Sequence, residues 1–189
     1  QALASRPDLR AKLEAAMADD EGPPVPPEFA DDLRRAQEGE QRYRRSSDLA
    51  ALDTAAMAWA RILDAPGFMT ADARFRLVAL NNAAIAFIRL YQGRGQDRDL
   101  DRALAGWEQV VKLTPPDSPD RPSRLNNLGV GLRDRYARTG RLEDLEAAIG
   151  VYEQAVKLTP PDSPDRPSRL NNLGTGLSDS RFVRTVSMS

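Results

Sequence analysis

The stretch Leu-Thr-Pro-Pro-Asp-Ser-Pro-Asp-Arg-Pro-Ser-Arg-Leu-Asn-Asn-Leu-Gly occupies residues 113–129 and returns, letter for letter, at 158–174. A repeat at a fixed spacing of 45 residues is the mark of a solenoid, in which one supersecondary unit is stacked on copies of itself. Stepping back by the same interval from Asn126 and Asn127 reaches Asn81 and Asn82, while Tyr136 maps to Tyr91, Leu145 to Leu100, Ala148 to Ala103 and Tyr152 to Trp107. A further step of 48 finds Tyr43, Leu52, Ala55 and Trp59, and the three extra residues fall around Pro66 to Asp72. Forward from Asn171 a fourth copy runs as far as Thr185, with one residue inserted at Ser180.

Within a unit the apolar residues are spaced for helices. Leu125, Leu128, Leu132 and Tyr136 make one stripe, and Leu145, Ala148, Tyr152, Ala155 and Val156 another. Each unit is therefore two helices. Thr139-Gly140 turns the chain between them, and Pro115, Pro116, Pro119 and Pro122 break it before the next pair, with Ser118 or Asp120 as the N-cap. Helices are expected at about 8–19, 27–45, 49–64, 72–92, 98–113, 121–138, 143–158 and 167–185, with no strand.

The repeats should then cover 29–185, as units of about 29–71, 72–116, 117–161 and a partial 162–185, followed by a tail at 186–189. Residues 1–20, with Leu9, Leu13 and Met17 on one helical face, fit no repeat position and read as a cap or interdomain piece. The Pro-rich run at 21–28 is a stiff hinge or wrapping connection. The chain begins with Gln1 and stops inside a unit, so it is expected to be part of something longer.

Composition removes most catalytic chemistry. The 189 residues include no Cys and no His, which takes away the usual thiolate nucleophile, the usual base near neutral pH and the commonest transition-metal ligand. No catalytic constellation, cofactor or metal site is expected. A net charge of −1 argues against a nucleic-acid partner. No run approaches the roughly 20 apolar residues of a membrane span, and the first residues carry no signal-peptide pattern, so a cytoplasmic protein is expected.

The small and aromatic residues Gly129, Ala148, Tyr152 and Ala155, followed by Pro160, resemble the tetratricopeptide repeat (TPR). The usual unit has about 34 residues, so each helix here is about a turn longer and the Pro-rich loop takes the rest. The resemblance implies an all-α, right-handed α-solenoid of antiparallel helix pairs. The opening Leu125-Asn126-Asn127-Leu128 is similar to the repeats of kinesin light chain, and the run from Arg135 to Leu145 to arrays that precede caspase-like (CHAT) protease domains. Both imply a protein or peptide partner and a recognition or regulatory role.

Adjacent asparagines inside a helix need a reason, because Asn is a mediocre helix former. Neighbours point about 100° apart, so the two have different roles or are both structural. By analogy with peptide-binding arrays, Asn81, Asn126 and Asn171 face the concave groove, and Asn82, Asn127 and Asn172 tie each unit to its neighbour. The same face then holds Ile85 and Ile88, Val130 and Arg133, Thr175 and Ser178, with Arg89 and Asp134 at its edge. Tyr43, Trp59, Tyr91, Trp107, Tyr136 and Tyr152 recur at fixed positions and read as core. The pairs Asp19-Asp20, Asp31-Asp32 and Glu143-Asp144 read as solvated helix ends. A second possibility is a structural module that self-associates through the C-terminal repeat, where Phe182 and Val183 would lie on an uncovered face.

Overall fold

The structure, a computed structural model, describes residues 23–186. It places seven α-helices there: α1 Ala30–Ser46, α2 Leu49–Asp64, α3 Ala73–Arg94, α4 Asp97–Leu113, α5 Arg121–Thr139, α6 Leu142–Leu158 and α7 Arg166–Val186. Short 3-10 turns precede α1, at Pro27–Phe29, and follow α2, at Pro66–Thr70. The described chain is all-α and contains no strand. The helices α1 to α6 each pack on a hairpin partner and, less extensively, on the next pair in line, and α7 packs on α6, the arrangement of an α-solenoid of helix pairs. The expected helix at 8–19 and the tail beyond 186 lie outside the described residues, as do the side chains of Phe182 and Val183.

The hairpin turns repeat because the same backbone geometry is needed each time. Ser47, Gly95 and Gly140 stand at one repeat position, all with positive φ, and close α1, α3 and α5. Their N–H groups donate to the carbonyls of Tyr43, Tyr91 and Tyr136, each at 2.7 Å. Glycine takes this left-handed cap without a steric cost, whereas Ser47 does not.

Polar side chains hold the Pro-rich loops. Thr114 is buried; its hydroxyl donates to the Val110 carbonyl and accepts from Arg124 Nη1 at 2.6 Å. Arg121 Nη1 donates to the carbonyls of Thr114 (2.6 Å) and Val111 (3.2 Å), capping the end of α4. The second copy is the same clasp: Arg166 donates to Thr159 and Val156, and Arg169 to the Thr159 hydroxyl. Neither Ser118 nor Asp120 caps α5 through its side chain. Ser118 Oγ accepts from the Asp120 N–H, and the Asp120 carboxylate is held by Arg124 at 3.0 Å.

The first junction is built differently. Its three extra residues go into a stretch that makes the 3-10 turn Pro66–Thr70, and Asp72 caps α3 by accepting from the N–H groups of Arg74 and Phe75. Phe29 is buried and stacked on Phe75, centroids 5.6 Å apart, which pins the Pro-rich N-terminal connection to the start of α3.

The core follows the repeat. Trp59, Trp107 and Tyr152 are buried at equivalent positions, and Tyr43 and Tyr91 pack on the core half-buried. Gly129 stands against Tyr152, and Ala36 and Ala84, small and buried, hold its repeat position on α1 and α3. One acidic position departs from the sequence reading. Asp144, read as a solvated helix end, is buried and receives two hydrogen bonds from Arg135, at 2.9 and 2.6 Å. Its equivalent Asp99 is held in the same way by Arg94, which also reaches Asp53 on α2. Both carboxylates stand in the first turn of a second helix, where the helix dipole favours negative charge.

Candidate functional site

The first helices of the pairs, α1, α3, α5 and α7, leave one stripe uncovered. On α3 it runs through Val78, Asn81, Asn82, Ile85, Arg89 and Gln92; on α5 through Ser123, Asn126, Asn127, Val130, Arg133 and Asp134. On α7 it includes Ser168, Asn171, Thr175 and Ser178. All of these are half-buried or exposed, as a helical period of 3.6 with three to four residues between neighbours on one face requires. Ile88 is the exception among the residues expected there. It is only 6% exposed, because seven positions beyond Asn81 the helix has rotated it against the core.

The asparagines meet across consecutive first helices. Asn172 Nδ2 donates to Asn126 Oδ1 at 2.9 Å, so this bond joins a second asparagine on α7 to a first asparagine on α5. Beside it lies a polar cleft of about 180 Å³ lined by Ser123, Asn126, Asn127, Asp165, Ser168 and Arg169. Arg169 is almost fully buried and fixed by Ser123, Asp165 and Thr159, which makes the cleft floor rigid.

Two turns further along α5, charge is placed under partial burial. Burial raises the pKa of Asp134, opposed by a hydrogen bond from Gln92 on α3 and by the charge of Arg133. Arg133 and Asp134 also face Tyr152. The Tyr152 hydroxyl is buried without a hydrogen-bond partner, and burial, with Asp134 adding and Arg133 opposing, pushes its pKa up to about 12.

The residue at one repeat position beside the core aromatic changes from pair to pair. In the first pair the residue equivalent to Arg133 is Glu40, whose Oε1 accepts from Trp59 Nε1 at 2.7 Å. In the second pair it is Ile88, which has no acceptor, and Trp107 Nε1 is buried and unpartnered. In the third it is Arg133, which makes no hydrogen bond to the Tyr152 hydroxyl although that oxygen can accept one.

Sequence reasoning placed the open stripe but missed this coupling between Glu40 and Trp59, the Thr–Arg clasps and the buried Asp99 and Asp144. The clasps had a signal in the repeated Thr-x6-Arg-x2-Arg spacing. The Asp positions had only their recurrence at 99 and 144, since their arginines come from different turns of the preceding helix. Among the described residues no group of His, Cys, Asp or Glu is arranged to hold a metal ion, and no helix is long and apolar enough to cross a membrane.

A comparison with curated proteins finds no match. Residues 123–165, which span α5, α6 and the loop after them, match the family model described as tetratricopeptide repeat. On a helix pair that the chain itself reproduces at intervals of 45 residues, this match supports a tetratricopeptide repeat protein.

Proposed function

We propose that the chain is a protein-interaction scaffold that takes a peptide or partner segment along the stripe of α3, α5 and α7. Repeats of this family generally mediate protein–protein contacts, and the fold is typically not enzymatic. The observation that carries the reading is the open row itself: a side-chain amide on each of three consecutive first helices, beside a polar cleft with a fixed floor. Asn126 uses its carbonyl oxygen toward Asn172, and its amide N–H groups remain to donate to the backbone of an extended ligand. Ile85 and Val130 supply apolar contact, and Arg133 suits an acidic group. In a larger protein such an array would serve recognition or regulation of a neighbouring domain.

The test is to select ligands from a random-peptide display library against the full chain and then replace Asn81, Asn126 and Asn171 together by Ala. Binding of the selected peptides should be lost while Tm stays within a few degrees. Undiminished binding, or loss of folding together with binding, would refute the groove.

Self-association is a second reading, favoured by one observation. Leu170 and Leu177 on α7 are 46% and 47% exposed, whereas their equivalents Leu125 and Leu132 on α5 are 1% and 6% exposed. Light scattering over a dilution series decides it, since a mass independent of concentration rules it out.

A further inference from the structure

The face opposite the asparagine stripe holds a cleft that only the first junction makes. It lies between α4 and the start of α3. The 3-10 turn Pro66–Thr70 forms one wall. Its volume is about 360 Å³, and Phe68, Met69, Leu80 and Leu113 line it, together with Arg76 and Lys112. It runs on into a neighbouring depression of about 260 Å³, where Arg102 lies over the Phe87 ring at 5.3 Å. Met69 is 68% exposed at the rim, the most exposed of the large hydrophobic residues among the described residues.

Arg76 is the telling residue. It stands at the repeat position of Arg121 and Arg166, each of which donates to two carbonyls at the end of the preceding second helix. At the first junction the 3-10 turn replaces the Pro-rich loop, and the clasp is absent: Pro66 stands where Thr114 stands, and Ala79 where Arg124 stands. Arg76 Nε is buried with no hydrogen-bond partner. The Arg76 guanidinium therefore borders an apolar cleft without the carbonyl clasp of its repeat equivalents. This part of the cleft holds two cations, Arg76 and Lys112, and no carboxylate; the adjoining depression adds Arg102 and one carboxylate, Asp64.

We infer that this cleft is a second docking site, separate from the asparagine stripe, for an apolar segment of another protein that carries a carboxylate. The carboxylate meets Arg76 and Lys112, and the apolar side chains lie on Met69, Leu80 and Leu113. An arginine suits this role because its planar fork binds a carboxylate through two hydrogen bonds and is only weakly hydrated when it is partly buried.

The chain has four methionines, Met17, Met57, Met69 and Met188, so labelling their methyl groups gives a sparse NMR spectrum for the full protein. The probe is a short acetylated peptide of alternating leucine and aspartate, with an asparagine-for-aspartate peptide beside it. The Met69 methyl should move on titration with the aspartate peptide while Met57, exposed on α2 away from the cleft, stays in place. Arg76→Gln, or the asparagine peptide, should weaken the interaction by about tenfold, and Lys112→Gln should weaken it less. Substituting the three asparagines of the stripe should leave the Met69 response unchanged. Circular dichroism checks that both charge variants fold. Equal shifts at Met57, or no effect of Arg76→Gln in a folded variant, would overturn the proposal. So would a nuclear Overhauser contact between the Met17 and Met69 methyls, which would give the cleft to residues 1–22. Movement of Met69 with protein concentration alone would give it to a second copy and overturn it likewise.

Discussion

Tyr152 shows how a residue can be right for packing and wrong for hydrogen bonding. Its ring fills the core of the third pair, but its hydroxyl is buried without a partner, at a desolvation cost of about 1–3 kcal/mol. Tyr152→Phe should therefore raise Tm by a few degrees, measured by calorimetry, provided the ring keeps its place. The pH dependence has a definite sign. The folded phenol holds its proton until about pH 12, while the unfolded one releases it near 10, so stability falls as pH rises through that interval. Ultraviolet titration should show a phenolate step near pH 12 that Tyr152→Phe removes. Ser47 carries a strain of the other kind, at φ 55 where its two repeat equivalents are glycine. Ser47→Gly should stabilise the chain by about 1 kcal/mol in urea unfolding.

At the scale of the helix, the Gly-x-Gly of α5 assigns its two glycines to opposite neighbours. A Cβ on Gly129 would come within 2.5 Å of Tyr152 on α6, its hairpin partner, and one on Gly131 within 3.0 Å of Trp107 on α4, in the preceding pair. Two residues apart on a helix means about 200° of rotation, so one glycine serves each side. The same letters recur on α7, where a Cβ on Gly174 meets nothing within 4 Å. Identical sequence should thus respond with opposite sign. Gly129→Ala should destabilise by about 1–3 kcal/mol through overpacking against the ring, and Gly174→Ala should stabilise by up to about 1 kcal/mol through helix propensity. Thermal unfolding of the two variants side by side is the check, and equal effects would show that the α5–α6 contact is looser than described.

Across the whole molecule, stability is a chain of nearest-neighbour contacts, because each pair touches little beyond the next. The consequence is a gradient. Leu125 and Leu170 begin the same Leu-Asn-Asn-Leu, yet one is 1% and the other 46% exposed. Leu125→Ala should cost about 2–5 kcal/mol, the range for a buried leucine, and Leu170→Ala only a fraction of that. Hydrogen exchange should report the same gradient, with amides of α7 opening at lower free energy than those of α5 and α6.

The helix pairs, their boundaries within a few residues, the turn glycines and the open stripe were legible in the letters, because period, turn chemistry and helical rotation are local. Asn81, Asn126 and Asn171 needed nothing more than a 45-residue step and a helical wheel to reach one face. Identical letters were silent on what surrounds them: Leu125 against Leu170, or Gly129 against Gly174, differ only in whether a second helix lies on top. The partners of buried charges and orphaned donors were equally hidden, since Asp144 finds Arg135 and Asp99 finds Arg94 from different turns. Arg76 is the plainest case. It shares the repeat position of Arg121 and Arg166, yet the 3-10 turn beside it leaves it without their carbonyls, because hydrogen bonds depend on where a backbone goes and not on which residue waits for it.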